Sequence, residues 1–345
     1  MKVLSVAYPL LPAGPNAAGG AEQILSLVER GIVRSGHESA IVAAAGSVVE
    51  GELFPTPVPD GEITDDLREE AQVAHHALIE KVLSRNHVDL VHFHGLDFHR
   101  YVPDTRVPML ATLHLPIDWY PQEVFRLKSV VLNCVTKAQA HSQPLSTTLP
   151  VIENGIDLAR YRACLSCPRE YLLFIGRVCP EKGIHLALEA AHQLDWPIFI
   201  VGPVHPFESH QQYFRQQVQP LLDSKRRYVG PIGLDEKVQL LSKARCLLIP
   251  SLVAETSSLV AMEAASCGTP VVALRSGALP EIVEHAKTGF IVDSADELVR
   301  SIKQIDSIDP AVCRAEAERR FDAERMVQEY LDLYKSLTKR RAVSD

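Results

Sequence analysis

Short apolar runs alternate with longer amphipathic stretches along nearly the whole chain, and this rhythm constrains the fold more than any other feature. Apolar runs predict strands at 3–7, 90–92, 109–113 and 130–135, and again at 172–175, 198–201, 227–229, 246–249, 270–273 and 290–292. Between them, Ile24, Leu25, Val28 and Ile32 recur at helical spacing and Gly36 follows as a stop signal. Further helices are expected at 65–84, 183–194, 209–222, 235–243, 258–267 and 296–304. Strands separated by helices of this length imply parallel sheets covered on both faces. Residues 158–170 are poorly patterned and read as a link between two such runs. The expected class is therefore α/β, with two doubly wound parallel-sheet domains facing across a cleft, 1–157 and 158–320. Ligands in open α/β sheets bind beyond the carboxyl ends of the strands, which makes that cleft the expected site.

Composition removes several function classes. The chain has 345 residues and a formal net charge of -8, with aromatics at 6%. This charge argues against a nucleic-acid binder held by a broad basic surface, and stacking platforms for single strands would be sparse. No apolar run approaches the roughly 18–20 residues of a membrane span. The run at 3–7 is too short for the core of a signal peptide and reads as a buried strand. Seven cysteines without an export signal predict reduced thiols and a cytoplasmic protein.

Three constellations carry chemistry. The loop from Gly14 to Gly19 and Gly20 leads into a helix, where bare backbone N–H groups and the helix N-terminus favour an anion. It lacks the Lys-Ser/Thr of a Walker A loop and the glycine order of a dinucleotide fold. In the second, Arg177 and Lys182 sit between a strand end and a helix start, Gly176 to Gly183. A diphosphate needs such a pair, a guanidinium fork and an ammonium point charge. In the third, Glu255 and Glu263 bracket Thr256, Ser257, Ser258 and Leu259. Eight helical residues would separate the two carboxylates by about 12 Å. That exceeds the roughly 5–9.5 Å of a glycosidase pair and suits gripping two ends of an elongated ligand. Taken singly, each also fits an ordinary loop, a solvated charged turn or a plain helix start.

Together these segments resemble the GT-B-fold, retaining glycosyltransferases of family 4 (glycosyl transferases group 1). The resemblance rests on Gly19-Gly20-Ala21-Glu22, Asn154-Gly155-Ile156-Asp157, Gly176-Arg177 to Lys182-Gly183, Glu255 to Glu263, the run Met262 to Val272, and Gly277 to Phe290. It implies a sugar transferase using a nucleotide-diphosphate sugar, UDP rather than GDP or ADP by weak preference, and retaining the anomeric configuration. Arg177 and Lys182 would bind the diphosphate. Glu263 would take the ribose hydroxyls, and Glu255 the hydroxyls of the transferred sugar. Thr256, Ser257, Ser258 and Leu259 would offer helix-start donors, and Gly19 and Gly20 would touch a phosphate. His114 matches the histidine near sugar and acceptor. The catalytic set is thus His114, Glu255, Arg177 and Lys182. A final helix at 321–338 would return to the N-terminal, acceptor-side domain, packing through Met326, Tyr330, Leu333 and Tyr334. The loop departs from the family's glycine and aromatic after the first glutamate, reading Glu-Thr-Ser-Ser, so sugar preference does not transfer.

No D-x-D triplet occurs, so no metal and no cofactor beyond the sugar donor is expected. The acceptor would be a sugar, a lipid-linked molecule or another small molecule, with no nucleic acid. His92, His94 and His99 read as core or cleft-lining residues rather than a metal site. Cys164 and Cys167 read as a surface pair, lacking a second pair at zinc spacing. The run Lys339-Arg340-Arg341 reads as a solvated end, with contact to anionic lipid left open. Two further readings stand beside the transferase: a nucleotide-sugar epimerase on the same fold, and a nucleotide-sugar-binding protein without turnover.

Overall fold

The computed structural model describes all residues except 18, 59–63, 145–147, 163 and 343–345, and excepting the side chains of 340–342. Its elements run β1 (Lys2–Val6), α1 (Gly20–Arg34), β2 (Glu38–Ala44), β3 (Glu52–Thr56), α2 (Asp65–Arg85), β4 (Leu90–Phe93), β5 (Met109–Leu113), β6 (Val130–Cys134) and α3 (Lys137–Ser142). They continue with β7 (Tyr171–Ile175), α4 (Ile184–Leu194), β8 (Ile198–Val201), α5 (Glu208–Tyr213), β9 (Arg226–Gly230), α6 (Leu234–Lys243) and β10 (Ala244–Ile249). The chain closes with α7 (Leu259–Ser266), β11 (Val271–Leu274), α8 (Leu279–Ile282), β12 (Gly289–Val292), α9 (Ala295–Lys303), α10 (Pro310–Arg320) and α11 (Ala323–Ala342).

The chain divides into two units, Met1–Gly155 with Ala323–Asp345, and Ile156–Asp322. Each holds a six-stranded, fully parallel sheet, ordered β3-β2-β1-β4-β5-β6 in the first unit and β12-β11-β10-β7-β8-β9 in the second. The central strands are buried throughout, as their unbroken apolar runs require: every residue of β4 and β5 is buried. Helices cover both faces with apolar stripes. In α9, Leu298, Val299 and Ile302 face inward while Ser294 caps the first turn, accepting from the Glu297 N–H.

Some expectations change. Strands β2 and β3 and helix α10 were not legible as separate elements. The stretch 158–170 is not a free link: Tyr161 is buried in the second unit's core, and Arg169 binds the carbonyls of Ala244 and Gly268. The Leu158–Arg160 turn and these bonds replace the missing hydrophobic period. Cys164 and Cys167 are joined as a disulfide, against the expectation of reduced thiols. Their Cα atoms lie 5.4 Å apart, within bridging reach. The other five cysteines are buried thiols. The basic run at 339–341 lies, for Arg340 and Arg341, outside the described side chains.

The last helix starts two residues later than its sequence pattern suggests. Phe321 is buried in the second unit, where its carbonyl accepts from the Ile156 N–H at 2.8 Å. Helix α11 belongs to the first unit and packs on α1. Its buried stripe is Met326, Val327, Tyr330, Leu331 and Tyr334, whereas Leu333 is only half-buried. Contact with α1 is close enough that a Cβ on Gly31 would sit 2.4 Å from the Val327 methyls. Gly31→Val should therefore destabilise the protein by about 1–3 kcal/mol through overpacking. Val327→Ala should recover part of that loss in a double-mutant cycle read by urea unfolding. Equal stability of Gly31→Val and wild type would contradict this packing.

Candidate functional site

In the second unit the strand order reverses between β7 and β10, which are neighbours although their onward connections run to opposite sides. A crevice opens at such a reversal, beyond the strands' carboxyl ends. The loop leaving β7 carries Arg177 and Lys182, and the loop leaving β10 carries Glu255. The two are tied together: the Leu252 N–H donates to the Glu181 carbonyl at 2.8 Å. Gly183 holds φ 61°, and a Cβ there would lie 2.1 Å from the Pro250 carbonyl oxygen. A third loop braces them from behind. Ala278 N–H donates to the Glu255 carbonyl at 2.7 Å, and Ser276 Oγ donates to the Val253 carbonyl.

Within this frame Lys182 Nζ donates to Glu255 Oε1 at 2.5 Å, and Ser251 Oγ binds the same oxygen. Both charged groups are largely withdrawn from solvent. Arg177 is exposed and makes no ion pair among the described residues. The eight residues after Glu255 are not one helix, as the spacing suggested. Helix α7 starts at Leu259, after Ser258, whose Oγ accepts from the Ala261 N–H at 3.4 Å. Thr256 and Ser257 therefore lie in the entering loop. The Ser257 hydroxyl is buried and meets no hydrogen-bond partner among the described residues.

Glu263, inside α7, is buried and doubly held, accepting from Tyr161 O–H at 2.6 Å and Lys237 Nζ at 2.7 Å. Burial, then the neighbouring Glu263 charge, raises the Tyr161 hydroxyl far above its ordinary range, so it remains a donor. Tyr161, Lys237 and Ser251 were not singled out in the sequence. Tyr161 fell in the unpatterned stretch, and nothing in the spacing of the other two pairs them with a glutamate. Cys179, Glu181 and His210 offer ligand atoms within 4.8 Å of one another, the one such group of three found among the described residues. Burial pushes the Cys179 thiol up to about 11, and burial and the Arg177 charge push protons off His210. A guanidinium beside the group makes it a poor cation site.

The other predicted residues lie in the first unit. Gly19 precedes α1, and the Glu22 carboxylate folds back against it: a Cβ on Gly19 would meet Glu22 Oε2 at 1.9 Å. A carboxyl group thus already faces the start of α1, and burial raises its pKa. Ala18, in the same loop, lies outside the described residues. His114 follows β5, and the Tyr120 hydroxyl accepts from its N–H at 3.0 Å. Its ring is the end of a chain of imidazoles. His114 Nε2 lies 3.0 Å from His94 Nδ1, and His94 Nε2 lies 3.2 Å from His92 Nδ1. His92 is fully buried and bonded through both nitrogens, to Tyr334 and Thr112, so it holds no metal. His99 is elsewhere, 3.3 Å from Glu123.

Residues 166–320 match the family model described as glycosyl transferases group 1. The D-inositol 3-phosphate glycosyltransferase of Corynebacterium efficiens is 32% identical over 169 residues, 43% of this chain and 40% of that protein. The match thus spans about two fifths of that relative's length. Among solved structures, the sucrose-phosphate synthase of Thermosynechococcus elongatus superposes with a TM-score of 0.81 at 19% identity, covering 98% of this chain and 99% of that one. The Anabaena protein HepE, in complex with UDP and glucose, gives a TM-score of 0.75 at 20% identity, covering 97% and 100%. At these identities the likeness is one of fold: paired doubly wound α/β units of the GT-B type.

Burial holds His114 and His75 neutral, each with its pKa lowered from 6.5 to about 4. The unfolded chain takes up these protons first, so stability is complete above pH 6.5 and falls as pH drops toward 4. The expected slope is about 1.4 kcal/mol per pH unit for each group. Urea unfolding at pH 7, 6 and 5 measures it, and His75→Gln should lower the slope. An unchanged slope in His75→Gln would contradict the burial of a neutral imidazole there.

Proposed function

We propose that the protein is a retaining glycosyltransferase that moves a sugar from a nucleotide-diphosphate sugar to a hydroxyl acceptor without a metal ion. The observation that carries this reading is the bonded pair Lys182 and Glu255 at the reversal of the second sheet, followed two residues on by the Ser257 hydroxyl, which meets no partner among the described residues. A cation and a carboxylate side by side suit a ligand that changes from charged to hydroxylated over a short distance. The diphosphate of a nucleotide sugar meets its sugar in just that way.

In this reading Lys182 and exposed Arg177 take the non-bridging phosphate oxygens, and Ser257 donates to one of them. Glu255 accepts from sugar hydroxyls. Glu263, its carboxylate aimed by Tyr161 and Lys237, accepts from the ribose hydroxyls. Negative charge grows on the diphosphate as the glycosidic bond breaks, and two preorganised cations stabilise it there. UDP is the preferred nucleotide, a choice the UDP bound to the Anabaena neighbour supports. His114 serves the sugar or the acceptor as a neutral ring. No helix among the described residues is long and apolar enough to cross a membrane.

Incubation with UDP-, GDP- and ADP-sugars, scored for thermal stabilisation and slow nucleotide release, tests the reading. One donor should produce both responses. Lys182→Ala should lower release by about 10²–10³-fold, the scale of other electrostatic clamps. An unchanged rate in that variant would overturn the assignment, and stabilisation without release would favour a binding protein.

A further inference from the structure

The turn that carries Lys182 runs into a helix start with no cap of its own. Gly183 closes the Pro180–Lys182 turn and also stands as the N-cap of α4. Its left-handed backbone and the Pro250 carbonyl beside it leave no room for a side chain. The hydroxyl or carboxylate that usually caps a helix is therefore missing here. The first N–H groups of a helix find no partner within it and need one from outside. The Leu186 N–H meets the Gly183 carbonyl at 3.0 Å. Those of His185 and Ile184 are met by Tyr213, which arrives from α5, 28 residues beyond His185.

The Tyr213 oxygen accepts from the His185 N–H at 3.2 Å, and the Ile184 N–H bonds to it as well. With its oxygen engaged by backbone donors, the phenol gives its own proton to His185 Nδ1, 2.9 Å away. Burial pushes the phenol up to about 12, so it stays a neutral donor. The ring is buried in the same apolar cluster as Val178 and Ile184, which fixes where the hydroxyl stands. The turn is thus held from two sides, by Pro250 at Gly183 and by Tyr213 at the next two residues. The start of α4 is thereby filled, and a diphosphate has to be met by the Lys182 side chain, not by this helix end.

We propose that Tyr213 is a positioning residue whose hydroxyl locks the first turn of α4 and so fixes the backbone from which Lys182 reaches Glu255. Lys182 directly precedes Gly183, so a shift of the α4 start moves the ammonium away from the carboxylate oxygen it now holds at 2.5 Å. The glycine that allows the tight approach to Pro250 is also the residue that cannot cap, and Tyr213 supplies from a neighbouring helix what that glycine lacks. That the Lys182 ammonium receives a diphosphate rests on the transferase reading above, whereas the closing of α4 follows from the second unit alone.

Tyr213→Phe keeps the buried ring and removes only the hydroxyl. In the ligand-free, full-length protein, hydrogen exchange followed by NMR should show the Ile184 and His185 amides exchanging about tenfold faster in this variant, the loss of one hydrogen bond each. Calorimetry with UDP, GDP and ADP reads the effect on Lys182. Whichever of the three the wild type binds should bind Tyr213→Phe about tenfold more weakly. In a Lys182→Ala background the same substitution should weaken binding no further. A residue that only supports the fold would lower affinity by the same factor in both backgrounds, and that result would overturn the proposal, as would unaltered exchange of the two amides. Faster exchange in a protein that binds none of the three nucleotides would overturn the transferase reading and the Lys182 half of the proposal.

Discussion

One ion pair organises the second unit. Lys182 and Glu255 stand 2.5 Å apart, on loops leaving two adjacent strands whose chain connections diverge. Neither residue could hold that position alone. Removing one partner would leave a poorly solvated charge, which is costly. The surroundings serve the pair: the Leu252–Glu181 bond joins the two loops, the close approach of Gly183 to Pro250 sets their spacing, and the 276–278 loop fixes the Glu255 backbone. Gly277 illustrates the tightness, with φ 50° and a carbonyl oxygen, that of Glu255, 2.2 Å from where a Cβ would stand.

Much of this was legible in the chain. Buried parallel strands write themselves as continuous apolar runs, so β5 and β8 fall where the sequence puts them, at 109–113 and 198–201. Arg177, Lys182, Glu255 and Glu263 could be singled out because their residue types flank strand ends and helix starts. What could not be read was partnership. Nothing in the sequence pairs Lys182 with Glu255, or Tyr161 and Lys237 with Glu263, because those contacts span 73, 102 and 26 residues. The helical span of 255–263 was overestimated for a local reason: Ser258 captures the Ala261 N–H and starts the helix only at Leu259. The disulfide was missed because an odd cysteine count points to thiols, whereas bridging depends on a local turn.

The first unit shows a different economy. Its polar interior is a continuous set of bonds from Tyr334 and Thr112 through His92 and His94 to His114. Buried polar groups are tolerable when each finds a partner. The H-x-H pattern announced proximity on one strand face. The partners that complete the set, Asn133, Tyr330 and Tyr334, lie far from it in sequence.

The central claim is that the Lys182–Glu255 pair receives the diphosphate and sugar of a nucleotide sugar. A crystal structure with UDP bound tests it most directly. The account predicts the diphosphate against Lys182, Arg177 and Ser257 Oγ, with Lys182 Nζ drawn onto a phosphate oxygen. A diphosphate bound elsewhere, with the Lys182–Glu255 bond and the Ser257 hydroxyl untouched, would contradict it.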